Sequence, residues 1–265
     1  MRIVLLSLAI VVSGFIAGCD SKPQPYKLND REKKVLVALL YDDLSVALQD
    51  GDVQDPELKG KLFGEVVQVS TQTLQTAYER NEVAADLAYK DKTLFVEGVV
   101  KSIDRSIGES YFIGLVGGSN PFMSPKASMA DGFIQYLASL TKGTKIKLAC
   151  KGGGMLIGSA MLKNCEPFDQ YISKKIEAYA NDSRISAASP EKTKEILLVS
   201  MLIATLLPEN SKCFESGTTH QMCLSESMAI LGGEKTDAKK QSFEKAMREA
   251  GVKAGLLAPF GLKPK

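Results

Sequence analysis

The stretch from Tyr89 to Cys165 constrains the rest of the chain, because its apolar residues alternate and glycines punctuate them at intervals suited to short, sharply turned strands. Thr93 to Asp104 is dense in β-branched and aromatic residues and is bounded by Lys- and Asp-rich turns, which predicts a strand. Gly98 in its middle lets a strand bend at a barrel corner. A second strand is predicted over Ser110 to Val116 after a turn at Ile107 to Glu109, and Gly117 to Pro121 reads as a loop. Phe133, Ile134, Leu137 and Leu140 fall at helical spacing, so a short helix is expected over Asp131 to Leu140. Ile146, Leu148 and Cys150 then alternate with Lys145 and Lys147. Gly152 to Gly154 reads as the next turn, and a last strand runs from Met155 to near Cys165. Strand, hairpin, helix and a final glycine-turned pair give the order of a partly open, five-stranded Greek-key barrel of the OB type.

The run "YKDKTLFVEGVVKSI" after Ala88, the block "LASLTKGTKIKLAC" and the closing "SAMLKNC" resemble the tRNA anti-like OB-fold family of bacterial envelope and lipoprotein sequences. The likeness is confined to the barrel stretch and rests on pattern without a catalytic signature. It therefore implies a fold rather than an activity.

The chain opens with Arg2, an apolar run from Ile3 to Val12, and small residues up to Gly18. A positive start and a short apolar centre make a secretory signal, too short for a transmembrane helix. Ile16-Ala17-Gly18-Cys19 resembles the bacterial lipobox, which implies cleavage before Cys19 and its acylation, the alternative being an ordinary signal with a chance cysteine. Several acyl chains on Cys19 would hold the protein stably on a bilayer, where a single chain binds only marginally. Asp20 resembles the signal that keeps lipoproteins in the inner membrane of enterobacteria, facing the periplasm, if the host is one.

Lys and Arg number 33 against 31 Asp and Glu, a balance that argues against a strong electrostatic pull toward nucleic acid. Besides Cys19 there are four cysteines, an even number in a disulfide-permissive compartment. Cys213 and Cys223 flank Gly217 and are the expected bridge. A hairpin centred on Gly153 would instead set Cys150 near Leu156 and Cys165 near Thr141, beyond the roughly 7 Å Cα limit of a disulfide. On that register they are separate buried thiols or partners of other cysteines.

Helices surround the barrel. Asn29 to Glu32 reads as a capping box opening a helix whose apolar side is Leu36, Leu39, Leu40, Leu44 and Ala47. Asp55-Pro56 opens a second, long amphipathic helix, with Leu58, Leu62, Val66, Val69, Thr73 and Ala77 recurring to Tyr78. It reads as a partner-binding face or as packing on the first helix and barrel. Past the barrel, helices are expected over Phe168 to Tyr179, from Ser189-Pro190-Glu191 through the apolar Ile196 to Leu207, over Met222 to Leu231 and over Thr236 to Ala250. The linker Asn181 to Ala188 is polar, and the tail from Leu256 is loosely held.

No histidine-rich or CxxC metal spacing, P-loop or G-x-S-x-G is present, and His220, the single histidine, reads as a surface loop residue between Cys213 and Cys223. Asp42-Asp43 reads as solvated charge. OB barrels bind through strands two and three and the flanking loops. That face would offer Lys101, Arg105, Tyr111 and Phe112, with Lys126 and Lys151 on nearby loops. With no tryptophan in the chain, a stacking platform for single strands is weak.

The sequence thus predicts an α+β protein: a signal at 1–18, a proline-stiffened tether at 19–28, helices at 29–88, the OB barrel at 89–167 and helices at 168–265. It reads as a non-enzymatic, cofactor-free envelope lipoprotein anchored to the bilayer through Cys19, acting as an interaction module for an envelope protein. A small-ligand or glycan-binding barrel is the alternative, and nucleic acid is disfavoured by compartment and charge.

Overall fold

A computed structural model describes residues 25–50, 56–105, 111–120, 122–185, 191–232, 241, 245, 246 and 248–250. The signal, Cys19, Asp20, most of the tether, the turn at 107–109, the end of the polar linker, most of the helix read over 236–250 and the tail lie outside these residues. In chain order the elements are β1 (Tyr26–Lys27), α1 (Asp30–Asp50), α2 (Pro56–Phe63), β2 (Val66–Ser70), α3 (Thr71–Arg80), α4 (Glu82–Tyr89), β3 (Thr93–Arg105), β4 (Tyr111–Leu115), β5 (Lys126–Met129), α5 (Ile134–Ser139), β6 (Lys145–Leu156), β7 (Ser159–Pro167), α6 (Phe168–Asp182), β8 (Arg184–Ile185), α7 (Glu191–Leu206) and α8 (His220–Gly232). The chain divides into two compact units, residues 47–175 and the paired segments 1–46 and 176–265.

The first unit is a closed barrel. β3 is antiparallel to β6 over Thr93 to Val99 and to β4 over Val100 to Arg105, with a register shift between Val100 and Ser102. β4 pairs with β5, β5 runs parallel to β7, and β7 returns antiparallel to β6. The five strands β3-β4-β5-β7-β6 therefore close on themselves, apart from the first half of the β3 edge that β4 does not reach. The interior is apolar, with Leu94, Val96, Val100, Ile113, Leu115, Ala127, Leu148 and Leu162 all buried.

Four expectations about the barrel region need correction. The long helix over Asp55 to Tyr78 is instead α2, a strand and α3. Gly64, at φ +66, stops α2, and the β-branched run Val66, Val67 and Val69 joins β3 in parallel register, Val66 opposite Thr93. Ser70 then caps α3 by accepting from the Thr73 N–H. The same spacing satisfied helix and strand, and an available barrel edge decided between them.

The glycine triplet is not the last hairpin turn. It lies inside β6, and the turn is at Ile157-Gly158, both in the left-handed region at φ +47 and +75, as a two-residue hairpin loop requires. The register then sets Leu148 opposite Pro167 and Ala149 opposite Glu166, and places Cys150 beside Cys165. The two are disulfide-bonded, with Cα atoms 4.1 Å apart. The separation argued from the sequence failed because it centred the hairpin on Gly153. Lys151, correspondingly, is a strand residue, as is Lys126 at the start of β5.

Gly152 has a different duty. Its N–H donates to the Lys92 carbonyl and its carbonyl accepts from the Asp91 N–H, so the strand is pulled against the turn before β3. A side chain there would overlap the Tyr89 carbonyl oxygen. Outside the barrel, Phe95 meets Phe168 at 5.1 Å and Phe63 and Tyr171 at 5.9 Å between ring centroids. This aromatic cluster attaches α2 and the start of α6 to β3.

The second unit is built around α1. Asn29 Oδ1 accepts from the Glu32 N–H at 3.0 Å and the Glu32 carboxylate accepts from the Asn29 N–H at 2.9 Å, a reciprocal capping box. Glu32 is buried and also accepts from the Tyr26 hydroxyl. Burial, with the Glu32 charge beside it, pushes the Tyr26 phenol up to about 12. Tyr26 and Lys27 form an antiparallel bridge with Ile185 and Arg184. The apolar α7 packs against α1 through Ile203, Ala204 and Leu207. Arg31 donates to the carbonyls of Ala204 and Leu207, covering groups that the end of α7 leaves unpaired, and stacks over Phe214 at 3.9 Å. Cys213 and Cys223 are disulfide-bonded and join the same core. Among the described residues no helix is long and apolar enough to cross a membrane.

Gly152→Ala is expected to destabilise the protein by about 1–3 kcal/mol, since backbone rather than a flexible side chain must move. Gly60→Ala, in α2 with open space around it, should instead gain about 0.5–1 kcal/mol from helix propensity. Paired thermal melts of the two variants check both signs.

Candidate binding surface

Pleating decides which barrel residues can act together. Ile113 faces the core, so Phe112 and Gly114 lie on the opposite side of β4, while Tyr111 shares the Ile113 side but is exposed at the start of the strand. Phe112 is opposite Asp104 and Ser128, and Lys126 is opposite Gly114, all on the outer strip. Lys126 Nζ lies 5.3 Å from the centre of the Phe112 ring. Tyr111 is opposite Arg105, whose guanidinium is 6.0 Å from its ring, on the other side of the sheet.

The sequence had assembled Lys101, Arg105, Tyr111 and Phe112 into one face. The structure separates them, because consecutive strand residues face opposite sides. Lys101 sits at the register shift and its ammonium donates to Ser124 at 3.3 Å. Lys151 is opposite Thr93 and Lys163, at the other end of β3 from Arg105. What remains on the outer strip is one aromatic with its lysine, and Lys101 reaching to the base of the β4–β5 loop.

Two turns present apolar side chains, one of them the β6–β7 turn at Ile157-Gly158, which interrupts the single strand expected from Met155 to Cys165. Phe122 is 91% exposed in the β4–β5 loop and Ile157 is 87% exposed in the β6–β7 turn. Leu156 and Met123 accompany them, and the Met123 thioether lies against Gly158, so the two turns are in contact. The signal was present as Phe122-Met123 between prolines and Leu156-Ile157 before a glycine. It was not informative alone, because Leu156-Ile157 equally suits the interior of a strand, and an apolar pair between prolines equally suits a buried turn.

Both turns are fastened from below by α3. Gln75, fully buried, donates from Nε2 to the Gly158 carbonyl at 2.7 Å and accepts from the Ala160 N–H at 2.9 Å. Glu79 accepts from the Ser119 N–H and hydroxyl, and these bonds hold its carboxyl below the usual carboxylate range. Gln72 accepts from the Gly118 N–H. The loop base is thus held while its tip faces solvent.

With this barrel described, the comparisons with known proteins are decisive on one point. The tRNA_anti-like family model matches residues 1–166. The chain belongs to the tRNA_anti-like family. A crystal structure from Klebsiella pneumoniae, described as that of a "putative nucleic acid-binding lipoprotein", is similar over 38% of this chain and 91% of its own, at 15% identity and a TM-score of 0.31. No curated protein matches the chain significantly.

The second unit of this tRNA_anti-like protein carries a cleft of about 380 Å³ lined by Lys33, Lys34, Glu177, Glu215, Thr218 and His220, among others. His220 is the first residue of α8 rather than a loop residue, and its ring lies 4.7 Å from that of Tyr41. Burial lowers its proton affinity, and the Glu177 charge only partly opposes that. No group of three His, Cys, Asp or Glu side chains is placed to hold a metal among the described residues.

The lowered His220 pKa carries a sign. The unfolded chain takes up the proton near 6.5 while the folded protein resists it, so stability is lost as pH falls through that value and is fully present above it. Melts at pH 7.5 and pH 5.5 should differ less in His220→Gln than in the parent, and an unchanged difference would remove the histidine from the account.

Proposed function

We propose that the protein is a lipid-anchored envelope lipoprotein whose tRNA_anti-like barrel is a non-catalytic binding module for a protein partner in the envelope. The signal at 1–18, acylation at Cys19 and a tether over 19–28 supply the anchor in this reading. The observation that carries it is the filled barrel. Leu94, Ile113, Leu148 and Leu162 leave the interior to side chains, so recognition has to use the outside. There α4 carries Val83 and Leu87, one turn apart and 73% and 78% exposed, an apolar stripe of the kind a partner helix or sheet covers.

A ligand or glycan on the barrel face has the Phe112 and Lys126 pair to work with. The exposed aromatics Tyr111 and Phe122 do not share the Phe112 strip, one lying on the alternate side of β4 and the other on the β4–β5 loop, whereas single-stranded nucleic acid asks for several in succession along a basic groove. The near-balance of charge points the same way.

A photo-crosslinking residue placed at Val83, Leu87 and Phe112, with Lys142 as control, in cells expressing the acylated protein, tests the proposal. Discrete protein adducts from Val83 and Leu87 are expected. Their absence at all three sites, with fatty-acid labelling intact and lost in Cys19→Ala, would overturn the protein-partner reading and leave the anchor standing.

A further inference from the structure

We infer that the paired turns bearing Phe122, Met123, Leu156 and Ile157 form a tip that inserts into the headgroup region of an anionic phospholipid bilayer, a second membrane contact beyond the anchor. This rests on the lipoprotein reading for the bilayer's being within reach. Tyr26–Lys27 are already paired with β8 and Leu28 is buried, so six residues from Cys19 to Gln24 separate the anchor from the described fold, a reach of at most about 20 Å at about 3.3–3.6 Å per residue, and the folded protein stays close to the surface that holds Cys19.

The tip itself departs from what folding alone would select. A two-residue hairpin with both central residues at positive φ favours Asn-Gly, yet the first position is Ile157. A β-branched side chain in the left-handed region is unfavourable, and leaving it 87% exposed forgoes any packing that would compensate. Phe122, the most exposed large apolar residue described, stands on the neighbouring turn. Neither contributes to the core. Backbone strain together with exposed apolar surface, on turns held firmly from beneath by Gln75 and Glu79, marks a surface built to be covered.

Charge and shape select the occupant. Lys126 begins β5 at the end of the β4–β5 loop, and Lys101 donates to Ser124 in the same loop. Apolar side chains ahead of lysines match the order of acyl chains and anionic headgroups met on approaching a bilayer. The residues project from two turns rather than line a groove, which suits a fluid interface better than a structured protein face.

The absence of tryptophan from the chain supplies the test. Acylated full-length Phe122→Trp and Ile157→Trp are reconstituted into phosphatidylethanolamine and phosphatidylglycerol vesicles with brominated acyl chains, with Lys142→Trp as control. Tryptophan at 122 and 157 should shift its emission to the blue and be quenched by bromine, and that at 142 should do neither. Ile157→Asn in the Phe122→Trp protein should lose most of the quenching while melting no lower than its parent, because Asn tolerates the backbone that strains Ile. Omitting phosphatidylglycerol, or combining Lys101→Gln with Lys126→Gln, should weaken the quenching in parallel.

Protein that floats with the vesicles but keeps residue 122 in water overturns the inference while sparing the anchor. Protein that fails to float overturns both. A shift that requires added envelope proteins and never occurs in pure lipid assigns the tip to a protein instead, and also overturns it.

Discussion

Everything in the barrel unit depends on one strand meeting three others. β3 is 13 residues long and gives its first half to β6 on one edge and to β2 on the other, then its second half to β4. A straight strand could not serve β4 and β6 in a closed ring, so the chain must turn within it, and the register shift between Val100 and Ser102 is where it does. That shift also sets Lys101 apart from the regular alternation. The irregularity that closes the barrel and the side chain that reaches the β4–β5 loop are consequences of the same bend.

Closure determines where binding can occur. A five-stranded ring has room for its own side chains and little else, and here those side chains are Leu, Val, Ile and the Cys150–Cys165 bridge, which ties β6 to β7. Chemistry is therefore displaced to the turns and to the helices. Gln75 illustrates the dependence: its buried amide satisfies one carbonyl and one N–H of the β6–β7 turn, and a buried amide is tolerable only when so paired. The rigidity this gives the turn is what allows Ile157 to be held in a strained and exposed conformation.

The other unit uses a different economy, in which polar side chains finish helices. Asn29 and Glu32 close the start of α1, and Arg31 covers the carbonyl end of α7. Because α7 is apolar along most of its length, its ends are where solvent and hydrogen bonding would otherwise compete with packing. The arrangement lets a short apolar helix sit in a protein core, consistent with its length being insufficient to span a bilayer.

Much of this was legible in the chain itself. The capping box at Asn29, the strand at Thr93, the helix near Ile134 and the OB order of strands follow from local chemistry: a side chain within reach of its own backbone, or a period that only one element satisfies. Where two periods fitted, the sequence could not choose. Val66 to Ser70 became a strand because the β3 edge was there to receive it, and the glycine triplet became part of β6 because Tyr89 and Lys92 required close approach, moving the turn to Ile157-Gly158 and joining Cys150 to Cys165. The candidate face divided for the same reason, since a strand sends Tyr111 and Phe112 to opposite sides. Sequence determined the elements whose stabilising partners lie a few residues away; tertiary structure alone decided register, facing and the contact between the two apolar turns, because those partners are tens of residues distant and compete on nearly equal terms until the barrel closes.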